Sequence, residues 1–240
     1  MRLFWGISMV ALSMASPIMA DGFDERFKSF DAHHWSIANY TFKHPHFDTD
    51  WSTKQVAINN GLTLSLTPQQ GRKNRYLGGS LRRNTPTGFG RYEVIMQPLR
   101  GAGVVTGFFT YTGPHYGTRH DEIDIEFLGK NTRQIHLALF VDGKMWNKFI
   151  DLDFDAADKP RAYAFEWGDG FVRWYVGDTL IYERRAIDGP IPAVAGRLFA
   201  NIWAADPSIK LWSGETLSGT SGQAKVLQMG FTPRTAGTGT

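Results

Sequence analysis

Glu122, Asp124 and Glu126 stand at i, i+2 and i+4 in the run His120-Asp121-Glu122-Ile123-Asp124-Ile125-Glu126-Phe127-Leu128-Gly129. Ile123, Ile125 and Phe127 fill the alternate positions. On a strand this puts three carboxylates on one face and three apolar side chains on the other. On a helix Asp124 would turn away from its neighbours, and the β-branched residues also favour a strand. Three like charges side by side do nothing for stability. They raise one another's pKa values and can keep one carboxyl protonated near neutral pH.

A carboxylate nucleophile beside a carboxylic acid is what glycoside hydrolysis needs. Four residues of strand span about 13 Å. Two Glu side chains leaning together by about 4 Å each leave roughly 5 Å between carboxyl groups, the spacing of retaining enzymes. Asp124, between them, is placed to hydrogen-bond to one of the two. A solvated acidic strand and a calcium site are the competing readings. The first rarely interleaves acids and large apolar residues so strictly, and the second lacks the glycine spacing of an EF-hand loop.

The elements that must carry this strand are strands themselves. Leu62, Leu64 and Leu66 alternate with Thr63, Ser65 and Thr67. Further β-prone runs cover 92–96, 108–111, 135–141, 163–167, 171–176, 180–182, 198–203 and 226–231, and turn residues such as Asp142-Gly143 punctuate them. No helical stripe follows residue 20. The 26 Gly, 11 Pro and 14% aromatic content suit a β fold better than a helix bundle. The pattern predicts one antiparallel sandwich or barrel, with most tryptophans in the core. With no cysteine, disulfides and thiol catalysis are excluded.

Arg2, the apolar stretch from Leu3 to about Ala15 and the small residue Ala20 read as a secretory signal over 1–20, cut after Ala20 or, less favourably, after Ala15. The expected location is therefore secreted or periplasmic. A domain is expected over 21–231, with a small polar tail at 232–240 left disordered. The formal charge of +3 gives no reason to expect nucleic acid as a partner. Between Asp50 and Glu93, however, Lys54, Arg72, Lys73, Arg75, Arg82, Arg83 and Arg91 have no acidic residue among them. That stretch is either a solvated face or a surface for an anionic substrate.

The run around Glu-Ile-Asp-Ile-Glu resembles the active-site strand of glycoside hydrolase family 16. Companion segments resemble the same family: 88–94 (GFGRYEV), 108–114 (FFTYTGP), 154–157, 163–167, 174–176 and Asn201-Ile202-Trp203. The resemblance spans about Phe30 to Phe231 and is nearest to bacterial licheninases and exopolysaccharide endoglycanases. It implies an all-β jelly-roll of two curved antiparallel sheets with a substrate cleft on the concave face. It implies Glu122 as nucleophile, Glu126 as acid/base and Asp124 as the partner of Glu122, in retaining hydrolysis within a β-glucan chain. Arg82, Phe109, Tyr111, Asn201 and Trp203 fall at cleft-lining positions. His120 stands where licheninases carry Trp, there to bond the sugar or to orient the neighbouring strand.

The chain also departs from the licheninase pattern. Ser80 stands where they carry Glu, Ala138 and Phe140 where they carry Asn and Tyr, and a residue near Lys43 where they carry a sugar-binding Asn. Losing these hydrogen-bonding groups argues for a different polymer. Lys43, His44 and His46, with Arg72, Lys73, Arg75, Arg82 and Arg83, would line one side of the cleft and favour an acidic exopolysaccharide. The calcium site of some relatives has no acidic residue after Glu215 to supply it, so no metal or other cofactor is expected. The chain is expected to act as a monomer on a polysaccharide, without membrane insertion. A transglycosylase with the same residues and a non-catalytic sugar-binding jelly-roll are the alternatives.

Overall fold

A computed structural model describes residues 21–234. The expected signal segment and residues 235–240 lie outside the described residues. In chain order the strands are β1 (Phe23–Glu25), β2 (Trp35–Ile37), β3 (Thr49–Trp51), β4 (Val56–Ile58), β5 (Leu62–Pro68) and β6 (Tyr76–Gly78). There follow β7 (Ser80–Arg83), β8 (Gly90–Gln97), β9 (Val104–Thr112), β10 (Asp121–Leu128), β11 (Gln134–Val141) and β12 (Lys144–Asp151). The last five are β13 (Arg161–Gly168), β14 (Phe171–Val176), β15 (Thr179–Arg185), β16 (Arg197–Ala204) and β17 (Gly222–Pro233). One short helix, α1 (Lys210–Ser213), and a few 3₁₀ turns complete the described residues.

The strands form two sheets. One runs β15-β14-β13-β8-β17-β5-β6-β3, with β1 on β17 and β4 on β5; the other runs β12-β11-β10-β9-β16-β7-β2. All pairings are antiparallel except β3 with β6. The expected all-β sandwich is the observed architecture. Between the sheets lies a core that includes Trp35, Leu64, Tyr92, Phe108, Ile125, Phe127, Phe165, Trp167 and Trp174. Period-two sequence explains it: β5 and β8 alternate buried and half-buried residues along their length.

The final strand corrects one expected boundary. It continues through Thr232 and Pro233, which pair with Arg91 and Gly90, so the tail does not begin at 232. Pro233 is the last residue of the strand, where its missing N–H matters least. The β11–β12 hairpin turns at Asp142 and Gly143, with φ of 51° and 74°, the left-handed pair that a two-residue hairpin requires.

Candidate active site

β10 lies third from the edge of the seven-stranded sheet, between β11 and β9. Ile123, Ile125 and Phe127 enter the core between the sheets. Glu122, Asp124 and Glu126 therefore face outward together. The core fixes the strand from behind: Trp174, on β14 of the opposite sheet, donates its indole N–H to the Asp124 carbonyl at 3.1 Å. Asp121, on the inner parity, accepts from Arg119 and from the N–H groups of Asp142, Ala193 and Val194. Burial alone would raise the pKa of Asp121, but these donors outweigh it and hold the carboxyl below its ordinary value.

Register builds the outer face in rows, since paired residues share a side. One row runs Met145, Phe140, Glu122, Tyr111, Arg197. The next runs Asn147, Ala138, Asp124, Phe109, Phe199, Arg82, Ser36. The third runs Phe149, His136, Glu126, Gly107, Asn201, Ser80. Trp203 continues the face one row further, paired with Val105. The three carboxylates thus sit on one face together with Phe109, Tyr111, Arg82, Asn201 and Trp203. In the third row Gly107 lets the Asn201 side chain close over it: a Cβ there would lie 2.9 Å from the Asn201 Oδ1.

The three acids have different surroundings. Asp124 is buried, its Oδ2 has no hydrogen-bond donor, and its pKa is raised well above the usual carboxylate range. Burial is the main cause, followed by the charges of Glu122 and Glu126 and a hydrogen bond shared with Glu122. Ionised, it would be a buried charge facing two others; as the neutral acid it donates to Glu122. Each glutamate meets an imidazole. The His120 Nε2 lies 2.5 Å from Glu122 Oε2, and its ring stacks on Phe140 and meets Tyr111 edge-on. The His136 Nδ1 lies 2.9 Å from Glu126 Oε2.

The expected sugar contacts vary in how open they are. Arg82 donates to the Tyr116 hydroxyl at 3.0 Å, while its Nε is buried without an acceptor. Asn201 Oδ1 is likewise unpartnered. Phe109 stacks on Phe199. Trp203 is only 5% exposed because Phe47 stacks on it at 3.9 Å and Trp212 packs nearby, so it closes one end of the face. Burial pushes the Tyr111 phenol above its ordinary pKa, and the Glu122 charge adds to the effect.

Three arginines of the basic stretch are engaged elsewhere. Arg75 pairs with Asp48, Arg91 pairs with Glu93 on the opposite sheet, and Arg83 lies over the Phe23 and Trp35 rings. Strand parity separates Arg83 from Arg82, and only Arg82 of the four is on the face with the carboxylates. Sequence reasoning missed His136, Arg197, Phe199 and Tyr116. The signal for His136 was the single polar residue in Ile135-His136-Leu137, and only the β10–β11 register places it opposite Glu126.

A model of the glycosyl hydrolases family 16 matches residues 43–226. The chain is 35% identical over 182 residues to a beta-glucanase of Paenibacillus polymyxa, covering 75% of each. It is 34% identical over 205 residues to a beta-glucanase of Bacillus amyloliquefaciens, covering 84% of each. The Bacillus licheniformis beta-glucanase structure superposes with a TM-score of 0.83 at 32% identity, over 90% of this chain and 99% of that one. A beta-1,3-1,4-glucanase (lichenase) from a mouse hindgut metagenome gives 0.85 at 30%, over 90% and 100%. The two sheets are those of the lichenase jelly-roll. With this fold and these relatives, the chain is a licheninase-like glycoside hydrolase and belongs to glycosyl hydrolase family 16.

Proposed function

We propose that the protein is an exported endo-β-glucanase that cleaves with retention of configuration. The observation that carries this is the outward row of Glu122, Asp124 and Glu126, with a buried Asp124 between two glutamates whose charges and its own burial raise its pKa. In the first step a Glu122 oxygen attacks the anomeric carbon while Glu126 gives its proton to the departing glycosidic oxygen. The C–O bond to the aglycone breaks and a glycosyl ester forms on Glu122. In the second step Glu126 takes a proton from water, whose oxygen attacks the same carbon and frees Glu122. Asp124 hydrogen-bonds to the Glu122 carboxylate and is freed from its charge when the ester forms.

The test is NMR of the first product from mixed-linkage β-glucan, with Glu122→Gln as the control. A β-anomer formed first and an inactive control are expected. An α-anomer would overturn the mechanism, and a long-chain product ladder would identify a transglycosylase instead. Sugar binding without turnover by the unaltered protein would favour the binding-module reading.

A second reading concerns the polymer. Arg82 has an unpartnered buried Nε, the neutral Ser80 stands two residues before it, and Arg197 lies over the Tyr116 ring at 4.0 Å. These groups favour an acidic substituent on the substrate. For a succinylated glucan KM should rise with added salt, and for the neutral glucan it should not. Equal salt responses would sink this reading.

A further inference from the structure

His136 is 2% exposed and lies directly across the ladder from Glu126. Phe149 packs on its ring at 4.5 Å and Trp212 meets it at 5.5 Å and 73°. Its Nε2 is buried with no partner. A proton on that nitrogen would be an unsatisfied donor in an aromatic pocket, which is costly. The proton of the ring therefore belongs on Nδ1, which is the nitrogen 2.9 Å from Glu126 Oε2.

We propose that His136 is a positioning residue that donates its Nδ1–H to the Glu126 carboxylate, fixing its rotamer and favouring its ionised form. The proposal rests on the reading of Glu126 as the acid/base. The charged and titratable neighbours are few. Asp124 and Glu122 share the strand of Glu126. Gly107 of β9 adds no side chain, and Ala138 of β11 and Asn147 and Phe149 of β12 add no charge. From α1 comes Trp212, while Lys210 is engaged with Glu215 at 3.7 Å. His136 is thus the donor that offsets the crowding of Glu126 by two other carboxyl groups. The consequence reaches both halves of the reaction. Glu126 must carry its proton when the leaving group departs and be ionised when water attacks, and a neighbouring acid row opposes the second state.

The test compares pH profiles of kcat/KM for the unaltered enzyme, His136→Phe and His136→Asn on mixed-linkage glucan. Removing a donor to a carboxylate should move the alkaline limb upward by about one to two pH units. His136→Asn, whose amide N–H stands where Nδ1 stood, should restore the limb toward its original place. An unmoved limb, or one that moves down, would overturn the proposal. If His136→Phe does not fold, ¹⁵N-histidine NMR of the unaltered enzyme decides: a protonated Nδ1 with a bare Nε2 supports the proposal, and a protonated Nε2 overturns it. A dinitrophenyl β-glucan oligosaccharide, whose leaving group needs no acid, separates the two levels of the argument. Glu126→Ala should spare kcat/KM on that substrate while abolishing it on glucan. Loss on both would refute Glu126 as the acid, whatever His136 does.

Discussion

Asp124 gives the sharpest test at the scale of a single residue. Its folded-state pKa is raised by burial and two neighbouring charges. Above the ordinary value of 3.8 the unfolded chain loses this proton while the folded chain keeps it. Stability is therefore drawn down as pH rises from there toward the folded pKa. Asp124→Asn removes that penalty. Its Tm at pH 7 should exceed the unaltered value by about 3 °C or more, and melts at pH 3 should show no gain. Its kcat should fall by about 10²-fold or more, since a neutral amide does not follow the charge on Glu122. Gly107→Val is the steric counterpart. Its Cβ would press on the Asn201 Oδ1 in the row of Glu126, and it should lower glucan cleavage by at least about tenfold while the protein still melts cooperatively. The carboxylate row was legible because parity alone reports it. His136 was not, because its meaning depends on which residue faces it across a ladder.

At the scale of elements, the catalytic strand is held by contacts from outside its own sheet. Trp174→Phe removes the indole donor to the Asp124 carbonyl and leaves that oxygen without its buried partner. Urea melts should show a loss of about 1–3 kcal/mol. Asp155 does a similar service for the turn after β10: it accepts from Thr132 Oγ1, from the Ala157 N–H at 2.9 Å and from Arg100 at 2.7 Å. Burial opposes its ionisation, but these donors win and its pKa is lowered to about 2. The stability it adds is present above the unfolded value of 3.8 and fades as pH falls toward 2. Asp155→Ala should cost about 1–3 kcal/mol at pH 7 and little at pH 2 by denaturant titration. The strands from 62 onward were readable where alternation or an apolar run marked them. β12 was not, because as an edge strand it is mostly exposed and presents Lys144, Lys148 and Asp151 to solvent. The short strands β1 to β4 were hidden too, since three residues carry no period.

For the whole molecule, charge is distributed by parity and pairing, not by sequence clustering. The stretch from Lys54 to Arg91 reads as a solvated face or one anionic-substrate surface, yet Arg82 and Arg83 take opposite sides of one sheet while Arg75 and Arg91 pair with Asp48 and Glu93. On the outer side of the ten-stranded sheet Arg173 bridges Glu166 and Glu183, and Arg185 and Arg234 extend the chain of charges. Substituting Arg91 or Arg173 should therefore leave KM for any glucan unchanged, in contrast to Arg82. The backbone plan is equally non-local. β17 lies inside the larger sheet between β8 and β5, and β1 pairs with its far end, Phe23 opposite Phe231. A chain ending at Ser221 should show no cooperative melt by circular dichroism.

That central place of β17 sets an order of events. A chain emerging from its N-terminus can pair β8 with β13, yet a gap stays open beside β8 until residues 222–233 arrive. Contacts so distant in sequence form slowly. The polypeptide thus stays pliable for as long as its final segment is withheld, and closes only when the whole thread is in one compartment. For the exported enzyme proposed above, the position of that one strand would act as a timer, holding back folding until the chain has passed through its pore.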